Sequence, residues 1–515
     1  MLLSQPQGQT RRQALFFAVL LSPLAGFLFL MGVYMGRANN DSFPIIVGAG
    51  ISSAVTLAII MGLNWRIGFY SIFFFLLFER LLGFGETGSL NATKIAIGLT
   101  GIFMLGALLN NELPGWGRKL LDPLALLGIG YFLICLMSLM FAFYPDVGYQ
   151  YLVRRFNVAA LLVLVMVAIT NRDIFHRAIL WLVIGGTVVA CLTCLEAVSD
   201  KSLLEMAGKV PDVEGKLNTL PQFGGKARLI GPSGDPTFYG LAQSAPGVLA
   251  LALMLYYREW WKKILLFFAL AVITFNIMGS GSRGGFLSFG VGCLTVFILA
   301  PMKHKPFKMV IFGVTVMAFL VILALSSVNV AASRIAAPQE ADTVVDYRTV
   351  MWEMCWNMYE AHPWGGMGVN SWVLNYPWYR LPGSSPYVIR PLNSFLQMLQ
   401  ETGVQGAAIY TLLYVFAILW SGIACLGSHD RRHRFECAGL FGIVIGFFLF
   451  AGTSNVLENE LYFTIFGLCG ASYFVYRQER LNPKPLGPDQ IDVAWRWRYY
   501  EWLQRRQKRI YPSAA

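Results

Sequence analysis

The stretch ILLFFALAVITFNIMGSGSRGGFLSFGVGCLTVFILA, residues 264–300, decides the fold. Two apolar runs, at 262–279 and 284–300 and each close to the length that crosses a hydrocarbon layer as a helix, flank a short turn of glycine and serine that carries Arg283. That is the pattern of a membrane hairpin, and it repeats along the chain. Of 515 residues, 56% are hydrophobic and only 13% are charged, more apolar material than a soluble domain can hide. About fourteen such runs can be traced. Their spans are 14–36, 43–63, 67–83, 95–110, 123–143, 157–170, 177–197, 236–256, 262–279, 284–300, 308–328, 404–427, 436–453 and 460–476. The expected fold is an all-α polytopic membrane protein. The first run is longer than the core of a secretion signal and reads as a permanent helix.

Lysine and arginine set the orientation. With Arg11 and Arg12 inside, the threading also places inside Arg66, Arg118 and Lys119, Arg172 and Arg177, Arg258, Lys262 and Lys263, Lys303, Lys305 and Lys308, and Arg431, Arg432 and Arg434. Nearly every short inner loop then carries at least two cations, and both termini are cytoplasmic. Six regions follow: N-terminal spans over 1–197, an outer loop over 198–235, spans over 236–328, a larger outer loop over 329–403, C-terminal spans over 404–476 and a basic inner tail over 477–515. Within the tail, Ile491, Trp495, Tyr499, Trp502 and Leu503 recur at helical spacing among arginines. This describes a helix lying on the anionic inner leaflet, which explains much of the +12 net charge without a nucleic-acid partner. Cys191 and Cys194 form a C-x-x-C inside an apolar run, where they read as small packing residues rather than a redox or metal pair.

The exceptions to the charge pattern point to function. Lys201, Lys209, Lys216, Lys226, Arg228, Arg283, Arg334, Arg348, Arg380 and Arg390 all fall in outer segments, and such a cluster suits an anion. Three of these arginines share a local context. In KARLIGPSGDPTFYG, Arg228 precedes a helix start with Asp235 as cap and Pro236 in the first turn. In GSGSRGGF, Arg283 sits at a helix mouth behind Ser280 or Ser282. In RPLNSFLQMLQETG, Arg390 precedes Asn393 as cap, and Gly403 ends the short helix. A helix N-terminus presents unpaired N–H groups and partial positive charge, so an adjoining arginine makes it a phosphate receptor. Convergence of the three mouths would hold a pyrophosphate. Arginines at a membrane edge also snorkel to lipid headgroups, which is the competing account of each one alone.

The larger outer loop is aromatic. Val345, Arg348, Trp352, Cys355 and Tyr359 fall on one helical face, and Trp372, Tyr376, Trp378, Tyr379 and Tyr387 follow. Aromatic rings beside polar groups suit the apolar faces of sugars, with an interfacial belt as the alternative.

These segments resemble the O-antigen ligase and O-antigen polymerase superfamily of bacterial inner membranes over about residues 220–410. RLIGPSGDPTFYG resembles the family's Arg-x-x-Gly segment before an Asp-Pro helix start, and GSGSRGGFLSF its Ser-Arg-Gly-Gly turn. YRTVMWEMCWNMYEAHPWGGMGVNSW resembles its Arg-x-x-x-Trp helix followed by His-Pro-x-x-Gly-x-Gly. A further ligase motif begins with His. Here Asn393, Gly403 and Gly406 keep its spacing, but Leu392 occupies the histidine position.

The resemblance implies a glycosyltransferase of the inner membrane that works at the periplasmic face without metal, nucleotide or other cofactor. Its outer loops would then be periplasmic, with the catalytic site in 329–403. The implied partners are a polyprenyl diphosphate-linked oligosaccharide donor, a glycan or lipid acceptor, membrane lipids and other polysaccharide assembly proteins. Arg228, Arg283, Arg348 and Arg390 are the expected diphosphate ligands, and Trp352, Trp372 and Trp378 the expected sugar contacts. With Leu392 in place, the general base falls among Asp235, Glu353, His362 and Glu401, each with an ordinary structural role as the competing reading. The leading expectation is a polymerase joining repeat units into exopolysaccharide or O-antigen. A ligase moving a finished glycan to a lipid A core is the alternative. A lipid-linked oligosaccharide flippase ranks third, because no internal repeat is evident and the expected spans are almost free of charge.

Overall fold

A computed structural model describes residues 65–78, 81, 83–84, 90–110, 112–199, 202–206, 228–301, 338–381 and 391–481. The expected spans 14–36, 43–63 and 308–328, both termini, the basic tail and Arg390 lie outside the described residues.

Among the described residues, apart from a two-residue antiparallel ladder between Gly83–Phe84 and Leu90–Asn91, the regular elements are helical. They are α1 (Trp65–Phe75), α2 (Ala92–Leu109), α3 (Trp116–Leu120), α4 (Pro123–Ser138), α5 (Pro145–Ala168), α6 (Arg172–Val198), α7 (Leu203–Met206) and α8 (Pro236–Tyr256). There follow α9 (Trp260–Gly279), α10 (Arg283–Leu299), α11 (Pro338–Ala361), α12 (Trp372–Tyr379), α13 (Ser394–Gly427), α14 (Arg431–Ala451) and α15 (Glu460–Leu481). Among the described residues, seven helices are long and apolar enough to cross a membrane: α4 (with the 3-10 turn to Phe141), α5, α6, α8, α9, α13 and α14. The shorter α10 and the apolar part of α2 are built of the same kind of residue.

Small residues bring the central helices together. In α10, Ser288 and Gly292 lie one turn apart and face Gly446 and Gly442 of α14 in the antiparallel sense. A Cβ on Gly446 would stand 2.7 Å from the Ser288 carbonyl oxygen, and one on Gly442 would stand 2.7 Å from that of Gly292. The Ser288 hydroxyl donates to the Gly446 carbonyl at 2.8 Å. On its other side α10 meets α8 backbone to backbone, with Gly285 against Gly240. In lipid there is no hydrophobic drive between apolar helices, so close approach of small residues and hydrogen bonds across the seam supply the attraction.

Ion pairs tie the basic end of the bundle. Arg172 bonds Asp430 at 2.9 Å and Glu479 at 3.0 Å, joining the starts of α6 and α14 to the last turns of α15. Nearby, His176 meets Glu436 through Nδ1 and the Tyr257 hydroxyl through Nε2. The buried Lys119 amine donates to the carbonyls of Val167 and Ile169, closing the end of α5, and burial lowers its pKa to about 7.

One span differs from expectation in a way that matters. The apolar run at 157–170 is the second half of α5, which begins three turns earlier at Pro145 with Asp146 in its first turn. The charges at Arg154 and Arg155 hide this extension from hydropathy. They are tolerated because Glu401 of α13 and Glu458 of the α14–α15 connection meet them, so the bundle is less free of internal charge than the apolar runs suggest.

Substitution at the α10–α14 seam tests this packing. Gly446→Val is expected to cost about 3 kcal/mol or to abolish the folded yield. Detergent-solubilised protein would be compared by thermal unfolding, and an unchanged midpoint would contradict the seam.

Candidate functional site

The end of the bundle opposite the ion pairs of Arg172 collects the helix mouths anticipated from the sequence. The Asp235 carboxylate caps α8, its Oδ1 accepting from the N–H groups of Thr237 at 2.6 Å and Phe238 at 3.2 Å. The Ser282 hydroxyl caps α10 by accepting from Gly285 N–H at 3.1 Å, and Ser280 braces it by accepting from Ser282 N–H. Asn393 caps α13 through Phe395 and Leu396. Each cap satisfies N–H groups that the first turn leaves open at the positive end of a helix.

Two of these mouths are in direct contact. The Ser282 hydroxyl donates to Thr237 O at 3.3 Å, Leu229 N–H donates to Gly279 O at 3.1 Å, and the Arg228 guanidinium donates through Nε to Ser280 O at 2.7 Å. Arg228 is thereby fastened to the turn that ends in Arg283. It is half-buried, whereas Arg283 is exposed at the first residue of α10. Burial lowers the Arg228 pKa from its ordinary value, Asp235 opposes that and Arg283 adds to it, so the three charges share one neighbourhood. A guanidinium fastened beside a helix mouth, with a second cation on the same turn, favours an anion there.

The third mouth is linked through the connection between α14 and α15. Gly284 packs on Phe450 near the end of α14, and the Ser394 hydroxyl at the head of α13 donates to Ser454 O and accepts from Val456 N–H. The same connection reaches Tyr131, whose hydroxyl donates to Leu457 O at 2.8 Å, and places Glu458 3.5 Å from Arg155. Arg348 and Trp352 ride on α11, which packs on α12 and α13. The Trp352 indole N–H donates to Pro391 O at 3.1 Å, and the buried Arg348 Nε has no hydrogen-bond partner among the described residues.

The broken helix α13 carries the remaining motif residues. At Gly403 the backbone leaves the helix with φ 72° and ψ −171°. The glycine-rich turn after His362 fills the break: Met367 N–H donates to Gln400 O, Gly368 N–H to Glu401 O, and Val404 N–H to Pro363 O. Gly366 and Gly368 have positive φ, and a Cβ at Gly403 would stand 2.6 Å from the Pro363 and Trp364 carbonyl oxygens. The two motifs are thus one interlocked unit. Arg155 reaches the same place from α5, donating to Glu401 at 2.8 Å with both side chains sealed from solvent, at 1% and 0% exposure. Gln397 donates to the second Glu401 oxygen, and Arg155 also meets the Tyr131 hydroxyl.

The expected site residues separate accordingly. Arg228, Arg283 and Asp235 come together. Glu401 is interior and paired to Arg155, Glu353 is exposed on α11, and His362 sits in its turn with its ring 5.4 Å from that of Phe143. Among the tryptophans, Trp352 is half-buried and Trp378 is 78% exposed. Trp372 is 1% exposed and packs with Met351, Met354, Cys355, Met358, Met367 and Tyr376, so it builds a local core and offers no open ring face. Leu392, in the position of the usual histidine, has a left-handed backbone at φ 48°, a conformation costly for a leucine. Sequence reading missed Arg155, Tyr131 and Glu196, which bonds the segment next to Arg228. The helix-start signal at Pro145–Asp146 was the clue that would have placed Arg155 inside a helix.

A family model described as O-antigen ligase matches residues 268–411, from within α9 to the upper part of α13. No curated protein matches the chain. The match supports assignment to the O-antigen ligase and polymerase superfamily and points to a membrane enzyme of that type. Arg283, Arg348 and the interlocked motifs lie inside the matched segment, while Arg155, Glu196, Arg228 and Asp235 lie outside it.

The buried pair yields a stability test. Arg155→Met should cost about 3–5 kcal/mol by leaving Glu401 uncompensated, and adding Glu401→Met should recover most of it. Denaturation in mixed micelles reads both. A single variant as stable as the parent would contradict the pairing.

Proposed function

We propose that the protein is a glycosyltransferase that polymerises lipid diphosphate-linked oligosaccharide repeat units at the periplasmic face of a bacterial inner membrane. The observation carrying this reading is the junction of two helix mouths at which Arg228 is bonded to the turn that leads into Arg283. When an acceptor hydroxyl attacks the donor sugar's anomeric carbon, the bond to the lipid diphosphate breaks and negative charge grows on the departing phosphate. Preorganised guanidinium groups and helix N–H groups favour that charge more than the ground state. The same step needs a group to take the hydroxyl proton. Of the four residues considered, Asp235 is the one at the cation pair. Both capping bonds fall on its Oδ1, which leaves Oδ2 to accept the proton.

The match of residues 268–411 to an O-antigen ligase family supports a second reading, in which a finished glycan is transferred to a lipid A core or other acceptor. Leu392 in place of the ligase histidine favours polymerisation. Purified protein given only its lipid diphosphate repeat unit separates the two: a polymerase lengthens it, and a ligase needs a second acceptor.

Arg228→Ala and Arg283→Ala should each lower product formation by about 100-fold or more while leaving folded protein in the membrane. Asp235→Asn, which keeps a capping oxygen, should lower turnover by about 100-fold with little change in unfolding midpoint. Parent-like polymer from both arginine variants would end the diphosphate proposal.

A further inference from the structure

Resting on the reading of Arg228 as a diphosphate ligand, the geometry points to Glu196 as the positioning residue that sets Arg228 beside Arg283. Glu196 lies in the last turn of α6, on the neighbouring side of the 228–231 segment. Its Oε2 accepts from the N–H groups of Ile230 at 2.9 Å and Gly231 at 3.2 Å, and its Oε1 accepts from Leu203 N–H at 2.6 Å. One carboxylate therefore clamps the strand of chain that follows Arg228 and, at the same time, the short helix α7.

The placement runs against local electrostatics. A carboxylate near a helix C-terminus meets the negative end of the dipole, so this position is unfavourable for α6 taken alone. Three charge-assisted bonds to backbone N–H groups offset that cost, and all three reach segments outside α6. Their structural consequence falls on Arg228. With Ile230 and Gly231 fixed by Glu196, and Leu229 fixed to Gly279 O, the arginine has little backbone freedom. Gly231 takes the sharp turn with φ 52°, and its neighbour Tyr239 is held by a hydroxyl bond to Asn276 at 2.9 Å. The guanidinium then spends Nε on Ser280 O, and its two Nη groups are the donors remaining for an anion.

Holding two arginines together in the absence of an anion costs repulsion, and a mobile Arg228 would relax away from Arg283. The Glu196 clamp resists that relaxation. Catalytic donors gain most when they are positioned before the charge develops. Glu196 touches neither substrate nor reacting atoms in this account. Its influence passes through Arg228.

A binding cycle tests this with farnesyl diphosphate as the probe, titrated into purified protein in lipid nanodiscs. Glu196→Gln is close in shape but turns an amide toward backbone donors, and it should weaken binding by about tenfold. On the Arg228→Ala background the same change should weaken it less than about twofold, because the residue it positions is gone. A purely architectural role would weaken binding equally in both backgrounds, and that result would overturn the proposal, as would parent-like affinity in Glu196→Gln. If Glu196→Gln yields no folded protein, Glu196→Asp, which retracts the carboxylate by one methylene, takes its place in the cycle with the same expected non-additivity. Failure of the diphosphate reading looks different: farnesyl diphosphate then fails to bind the parent, or binds the Arg228→Ala and Arg283→Ala variants as tightly as the parent, and the inference falls with it.

Discussion

A helix inside a bilayer cannot be broken without finding new partners for the backbone groups it releases, and the rest of this architecture depends on how the break at Gly403 is met. The turn at residues 362–368 supplies N–H groups to Gln400 and Glu401 and takes the N–H of Val404 in return. Arg155 then neutralises the Glu401 side chain from α5. A break of this kind fixes the upper part of α13 at an angle that a continuous helix would not permit. It also commits the turn at 362–368 to one seat on the membrane bundle, and Trp352 of α11 holds Pro391 nearby. The glycines of both motifs answer to this geometry rather than to substrate, since a side chain at Gly366 or Gly403 would collide with backbone.

The cation pair is built by different means. Small residues let α10 lie against α8 and α14 at backbone distance, and the mouths of α8 and α10 are brought into contact by packing within their first two turns, Gly285 against Gly240. The 228–231 segment then crosses the α9–α10 turn and delivers Arg228 to it. Rigid helices position the positive ends, and a short clamped strap positions the guanidinium. The connection between α14 and α15 runs from Phe450 past Ser394 to Glu458, giving a continuous protein path from the cation pair to the Arg155–Glu401 pair.

Local features were legible in the sequence, and distant ones were not. The caps at Asp235, Ser282 and Asn393 could be read because capping involves residues two or three positions apart. The stop at Gly403 was read as a helix end, and it is a break within one longer element, because its partners lie in the turn after His362. Arg155 could not be recognised as buried, since Glu401 is 246 positions away and Arg154 beside it made the segment resemble an outer loop. Trp372 shared its aromatic context with Trp378, yet packing against the methionines of α11 buries one and leaves the other exposed. Glu196 left no mark in the sequence because the partners that tie it to the 230–231 segment and to α7 are backbone N–H groups, which every residue but proline offers.

The central claim is that an anion of a lipid-linked donor sits where Arg228 and Arg283 meet at the joined mouths of α8 and α10. An experimental structure of the protein in nanodiscs with a polyprenyl diphosphate bound tests it most directly. The account predicts both phosphates within hydrogen-bond distance of these two guanidinium groups, with the prenyl chain descending along the bundle. Phosphate density at the opposite end, among Arg172 and Arg432, or remote from both arginines, would contradict it.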